Sequence, residues 1–272
     1  MALRYVGTEA SKMRRNSYTK NSSYQRGVID AAKLHIQSAI AKKLQPENFA
    51  TLDAFSIADL GCSVGPNTFF SVQNILEAVK LKYKIHESNT RILEFQVFFN
   101  DHSMNDFNTL FKYLPPYREF CASGVPGSFY SRLLLRASLH FVHSSYSLHW
   151  LSQVPKEVTN RKEEITKAYL SQHAMDMANF LSARAEEVVP GGLMTIVVPG
   201  LIDEEKVDSF NIPAYCTRPQ ELEAVIQKNE CFTIESIEFA LSDGTGHSPW
   251  APRCIFQHKS HYSGINKGTF WW

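Results

Sequence analysis

The chain is 272 residues long, with 44% hydrophobic and 20% charged residues, a globular composition that excludes a collagen, a low-complexity tail or a disordered acidic domain. With 28 Lys and Arg against 27 Asp and Glu the formal charge is +1, without the basic excess that a duplex nucleic-acid binder shows. The apolar stretches around 132–142 and 193–198 are far too short to span a bilayer. The start lacks the apolar region of a signal peptide, and the five cysteines, without a C-x-x-C pair, read as free thiols of a reducing compartment. A cytoplasmic protein with neither nucleic acid nor membrane as partner is the expectation.

Residues 1–25 are polar and read as a solvated arm. Val28, Ile29, Ala32, Leu34, Ile36 and Ile40 then suit a helix of three to four turns. The segment 52–60 reads as a short buried strand containing Asp59, followed by a turn from Gly61 to Asn67. Thr68 is a plausible N-cap for a helix through Val72, Ile75, Leu76, Val79 and Tyr83. A β-prone run, 93–99, stops at Asn100-Asp101, and a helix over 105–114 is closed by Pro115-Pro116. The stretch 122–128 is all turn chemistry. A strand at 138–145 precedes a long helical pattern over 162–188, which stops at Pro190-Gly191-Gly192. A strand at 193–198, a helix at 219–228 and a strand at 232–239 follow.

Strands alternating with crossover-length helices argue for an open, mainly parallel α/β sheet. After Ser242 the pattern dissolves. The chain is therefore expected to divide into one α/β unit over 1–242 and an irregular C-terminal tail over 243–272.

The strongest local signal is Ile57-Ala-Asp-Leu-Gly-Cys-Ser-Val-Gly-Pro-Asn67. In a doubly wound sheet the first strand feeds a glycine turn where backbone approaches a nucleotide-like ligand closely. The spacing is G-x-x-x-G, neither a dinucleotide fingerprint nor a P-loop. Asp101 ends the next strand, where a carboxylate can accept both ribose hydroxyls. A glycine turn after one strand and an acid after the next look like an S-adenosylmethionine site. The segment leaving the 138–145 strand carries Tyr146, His149 and Trp150 at the ligand-binding edge of such a sheet. His140 and His143 are expected on opposite strand faces, which argues against a shared metal.

One ordered set of motifs carries a resemblance: Asn16-Ser-Tyr, Asn21-Ser22, Gln25, Ala58-Asp-Leu-Gly-Cys-Ser, Gly65-Pro-Asn-Thr68, Phe99-Asn-Asp101, Asn105-Asp-Phe-Asn108, Gly124-Val-Pro-Gly-Ser-Phe-Tyr130 and Ser144-Ser-Tyr-Ser-Leu-His-Trp150. Over 16 to about 240 the chain resembles the plant SABATH methyltransferases, which methylate carboxylic acids or the ring nitrogens of xanthines. The resemblance implies a Rossmann-like methyltransferase sheet with a helical cap, reduced here. It implies S-adenosylmethionine contacts at Tyr18, Ser22, Cys62, Asn67, Asp101, Ser128 and Phe129, beside Asp59 in the glycine-turn motif. Acceptor contacts are implied at Gln25, Tyr146, His149 and Trp150, with Gln25 and Trp150 as the catalytic donors. Xanthine-methylating members tend to differ at these two positions, so the pair favours a carboxylate.

The departures lie before Asn16, where residues 9–15 stand in place of a Gly-rich family stretch, and after Val158, where a family insertion is missing. They lie also after Gly200, where a helical segment of the cap is missing, and after Ser242, where residues 243–272 replace the C-terminal helices and last strand. Asp208, Phe210 and Asn211 match one half of a family Mg²⁺ site, whose other half lies in the first missing piece. The expected function is S-adenosylmethionine-dependent O-methylation of a small carboxylic acid, with a homodimer among the possible assemblies. N-methylation of xanthine alkaloids and a catalytically impaired, cofactor-binding member are the alternatives. The last antiparallel strand of such a sheet is expected to be lacking, which would leave the edge of 193–198 unpaired and the protein poorly soluble.

Overall fold

The structure, a computed structural model, describes residues 23–49, 54–86, 93–155, 162–198, 213–240 and 251–259. Among these, α1 (Ser23–Lys43) and a single 3₁₀ turn precede β1 (Ala54–Leu60), α2 (Pro66–His86), β2 (Glu94–Asp101) and α3 (Phe107–Lys112). Then come β3 (Cys121–Pro126), β4 (Leu139–Ser145), α4 (Lys162–Glu187) and β5 (Val188–Val197). The order closes with α5 (Pro219–Asn229), β6 (Phe232–Ala240) and β7 (Ala251–His258).

The strands form one sheet in the order β3-β2-β1-β4-β5-β7-β6. β1 to β5 are parallel, and β7 runs antiparallel between β5 and β6. The order reverses between β1 and β4, which opens a crevice beyond their carboxyl ends. Alternating strand residues feed two cores. Phe55, Ile57, Val97, Phe99 and Phe141 pack with Ile36 and Ile40 of α1 and with Val72, Ile75 and Val79 of α2. Ala58, Leu60, Val142, Met194 and Ile196 pack with Met177, Phe180 and Leu181 of α4 and with Leu222 and Ile226 of α5. Covering both faces makes the central strands read as continuous apolar runs. The sheet expected from the sequence is thus present.

Several expectations need correction. The irregular tail over 243–272 is not irregular throughout, because residues 251–258 form β7. Met194 pairs with Phe256 and Ile196 with Cys254, so the predicted bare edge of β5 is occupied and the argument for poor solubility falls. The segment 122–128 is largely strand: β3 pairs in parallel with β2 from Gln96↔Cys121 to Asp101↔Pro126. An edge strand tolerates Gly124 and Pro126, which a central strand would not. Thr68 does not cap α2, which begins at Pro66, a residue suited to the first helical position. The polar arm is helical from Ser23, since α1 starts before its apolar periodicity does.

His140 departs from the alternation as well. A register shift between Leu139 and Phe141 turns its ring onto Phe55, with centroids 4.9 Å apart. Its Nδ1 accepts the Ser56 N–H at 2.9 Å. No group of three His, Cys, Asp or Glu side chains able to hold a metal occurs among the described residues. No helix among them is long and apolar enough to cross a membrane.

Candidate active site at the sheet switch point

The glycine turn is built by close backbone contacts. Gly61 and Cys62 donate their N–H groups to the Asn100 carbonyl at 2.8 and 2.9 Å, tying the end of β1 to that of β2. Gly61 has φ +82°, and a Cβ there would sit 2.0 Å from Ser147 Oγ, so only glycine fits. Ser147 Oγ donates to the Gly61 carbonyl at 3.2 Å, which joins this turn to the segment after β4. Ser63 holds φ 55° and Tyr146 also φ 55°. Two non-glycine residues in the left-handed region mark local backbone strain, a feature that clusters at ligand sites.

Asp101 Oδ2 accepts the Ser63 N–H at 2.8 Å and Oδ1 the His102 N–H at 2.7 Å. Two bonds leave acceptor capacity on an ionised carboxylate, enough for a vicinal diol. Asn100, 1% exposed, donates Nδ2 to the Val125 and Gly127 carbonyls at 2.8 and 3.0 Å and so fixes the loop after β3.

Beyond the turn lies a cleft open to solvent, lined from β1 and its turn by Asp59, Gly61 and Cys62. Asn67, Thr68 and Ser71 line it from α2, Ser145, Tyr146 and His143 from the β4 side, and Ile29 from α1. Asp59 accepts a hydrogen bond from Thr68 Oγ1. Burial pushes its pKa up to about 7, partly offset by that hydroxyl, with the Asp101 charge adding to the rise. Burial likewise pushes the Cys62 thiol well up, aided by the charges of Asp59 and Asp101. Cys62 therefore serves as a neutral wall rather than a nucleophile.

His143 is the register partner of Asp59 across β1 and β4. Burial pushes its pKa down to about 4, so it is neutral at pH 7. Neither of its ring nitrogens has a hydrogen-bond partner among the described residues. Orphaned buried polar atoms call for a partner that the protein does not supply, such as a bound water or a ligand. Together with the acceptor capacity of Asp101, they fit a cofactor carrying ribose and amino-acid groups.

The segment after β4 holds the other expected residues. Tyr146 N–H donates to the Val197 carbonyl at 2.8 Å. The His149 ring lies 5.0 Å from that of Trp150. Burial, and secondarily His173, push the pKa of His149 down to about 4. Trp150 is 47% exposed and bridges Ala214 through its main chain. Phe129 packs on Tyr130 and Phe180, and Ser128 Oγ accepts the Tyr130 N–H at 3.3 Å.

Of the expected site residues, Asp59, Cys62, Asn67 and Tyr146 share the cleft. Asp101 stands beside the glycine turn, and Ser128, Phe129, His149 and Trp150 lie on the loops that follow β3 and β4. Gln25 is on α1, one turn before Ile29. Tyr18, Ser22, Asp208, Phe210 and Asn211 lie outside the described residues, as do both points where family segments are missing.

The sequence reasoning did not single out Asn100, Ser147 or the contact of Thr68 with Asp59. It also missed a row on α4, His173, Asp176, Arg184 and Glu187, all buried. Polar residues at helical spacing within an apolar stripe were the signal available for that row.

A parallel sheet whose switch point carries a glycine turn after β1, an acid ending β2 and a polar cleft between β1 and β4 defines an S-adenosylmethionine-dependent methyltransferase. Within that class, the chain belongs to the SAM dependent carboxyl methyltransferase family, the SABATH methyltransferases, whose model matches residues 10–200 and 193–261. The second match runs through β7, so this strand is part of the family's chain and not a replacement for it. The chain is 46% identical to a loganic acid O-methyltransferase of Catharanthus roseus, over 82% of this chain and 72% of that protein. It is 43% identical to a farnesoic acid carboxyl-O-methyltransferase of Arabidopsis thaliana, over 88% and 80%. A solved loganic acid methyltransferase with SAH superposes with a TM-score of 0.79 at 36% identity, covering 89% of this chain and 96% of that one.

Proposed function

We propose that the chain transfers a methyl group from S-adenosylmethionine to the carboxylate of a small, partly apolar plant acid, giving its methyl ester. The observation that carries this reading is the meeting of the cofactor turn and the acceptor segment in one cleft, which Tyr146 lines together with Gly61 and Cys62. When bound, S-adenosylmethionine supplies an electrophilic sulfonium methyl group. A carboxylic acid is ionised at pH 7 and needs no general base. It needs orientation, with one oxygen in line with the methyl carbon.

In this reading the Gln25 amide and the Trp150 indole N–H donate to the acceptor carboxylate. His149, kept neutral by burial, adds a polar edge. Phe129 and Tyr146 supply apolar walls. Asp101 holds the ribose hydroxyls, with Tyr18, Ser22, Asp59, Cys62, Asn67 and Ser128 as further cofactor contacts, a set supported by the resemblance of the motifs. Asp208 and Asn211 offer the hard oxygen donors that Mg²⁺ takes, and with Phe210 they would hold that ion without a part in the transfer. A cytoplasmic setting and a homodimer complete the reading, the former supported by the free thiols at Cys62, Cys121 and Cys231.

Trp150→Phe tests it, since it keeps the aromatic face and deletes the donor. Acid methylation should fall by roughly 10- to 100-fold, the scale of a hydrogen bond to a charge. Affinity for S-adenosylhomocysteine should hold. A variant as active as wild type would remove Trp150 from the acceptor site.

A further inference from the structure

Asp176 sits in the middle of α4, 1% exposed, below the segment that carries His149 and Trp150. Its Oδ2 accepts the Ser152 main-chain N–H at 2.8 Å, and its Oδ1 accepts the Ser152 hydroxyl at 2.6 Å. Gln172, one turn earlier on the same helix, donates Nε2 to Oδ1 at 2.9 Å and accepts from Gln153 Nε2 at 3.1 Å. The two helix residues thus grip two successive residues of the loop. On the other side, the Tyr130 hydroxyl donates to the Trp150 carbonyl at 2.7 Å, and the Trp150 N–H donates to Ser147 at 3.1 Å.

A buried carboxylate is costly to keep unless its hydrogen bonds are made. An apolar residue at this place in the stripe would pack against the sheet with no such cost. Hydrogen bonds to an ionised acceptor are about twice as strong as neutral ones and fix geometry more tightly. The indole begins two residues before Ser152, and a misplacement of about 1 Å at a reacting centre costs on the order of 100-fold in rate.

We infer that Asp176 is a positioning residue for methyl transfer: from behind the acceptor site, its carboxylate sets the place of the His149–Trp150 segment through Ser152. This rests on the reading that Trp150 contacts the acceptor. Asp176 touches neither substrate nor cofactor in this account. It therefore governs acceptor orientation and leaves the cofactor turn at Gly61 and Cys62, held by Asn100, undisturbed.

The test is Asp176→Asn, which keeps the shape and removes the charge, with Ser152→Ala as a second variant that deletes only the hydroxyl contact. Hydrogen exchange of single amides needs no substrate. The Ser152 amide should exchange roughly 10-fold faster in Asp176→Asn, while the Gly61 and Cys62 amides keep their rates. With whichever of loganic, farnesoic and salicylic acids is turned over fastest, kcat/KM should fall about 10-fold in Asp176→Asn and about 3-fold in Ser152→Ala. Affinity for S-adenosylhomocysteine should stay within about twofold.

Combined with Trp150→Phe, the Asp176→Asn loss should be smaller than it is alone, because both act through one contact. Unchanged exchange and kinetics in a folded variant would overturn the inference, as would cofactor affinity falling in step with turnover. If Asp176→Asn does not fold, a Ser152→Ala protein with wild-type exchange and kinetics overturns it. A silent Trp150→Phe beside a damaged Asp176→Asn would instead refute the acceptor role of Trp150, leaving the clamp itself standing.

Discussion

The last turn of α4 holds an ion pair removed from water: Arg184 and Glu187 are both 0% exposed, with Nη2 2.8 Å from Oε2. Arg184 donates to the carbonyls of Phe129 and Ser131 at 3.0 Å each. Glu187 Oε1 accepts the Leu134 N–H at 2.7 Å and the Leu133 N–H as well. The pair thereby fastens the loop over 129–134, next to Ser128. In Glu187→Gln the amide oxygen still serves the two loop N–H groups, but its NH₂ then faces the guanidinium. Leaving a buried charge without its partner costs about 3–5 kcal/mol, and the retained acceptor places this case near the lower bound. About 3 kcal/mol corresponds to a fall in Tm of roughly 6–12 °C for a chain of this size. Urea unfolding followed by circular dichroism should show a lower midpoint with an unchanged slope. A second variant, Arg184→Met, combined with Glu187→Gln should lose less than the two single losses added together. A Tm within 2 °C of wild type, at roughly a third or less of the smallest expected shift, would refute the account of this pair.

Three further outcomes follow from the same structure. Phe256→Ala, in the fully buried side chain of β7, should destabilise by about 3–5 kcal/mol, whereas a side chain in an irregular tail would cost almost nothing on the same calorimetric scan. Asp59, with its pKa raised to about 7, keeps its proton in the folded state beyond the range where the unfolded chain has lost it. Stability from this group is therefore whole below about pH 4 and is lost as pH rises through about 7. Asp59→Asn should remove that slope and make the cofactor-free protein more stable than wild type at pH 8, by at most about 4 kcal/mol, and parallel stability curves from pH 4 to 8 would contradict it. Asp101→Ala should weaken S-adenosylhomocysteine binding by roughly 2–3 kcal/mol in calorimetry, and an unchanged affinity would remove Asp101 from the cofactor site.

The sequence carried the parallel frame well because its strands are buried on both faces and its helices have long apolar stripes. Ile57, Phe141 and Met194 stand in apolar runs of strand length, and Val72 to Val79 keep helical spacing. Two strands escaped for physical reasons. β3 is an edge strand containing Gly124 and Pro126, residues that otherwise spell a turn. β7 buries the adjacent Ile255 and Phe256, which erases the alternation, and Pro252 near its start disguises it further.

The glycine turn and Asp101 were legible because their chemistry is local to two strand ends. The clamp at Asp176 was not, since Ser152 lies 24 residues away and only folding brings the two together. The same holds for Thr68, whose place beside Asp59 comes from the way α2 springs back over β1. His140 shows the limit of counting along a strand, because one bulge moved its ring to Phe55.

The central claim is that this chain esterifies a carboxylate, and the product of a labelled methyl transfer tests it most directly. Purified protein would be incubated with methyl-labelled S-adenosylmethionine and, separately, loganic, farnesoic and salicylic acids or a xanthine. The account predicts label in an acid's methyl ester, released by mild base, with no transfer to the xanthine. Label in a base-stable N-methyl product of the xanthine, with none in any acid, would contradict it.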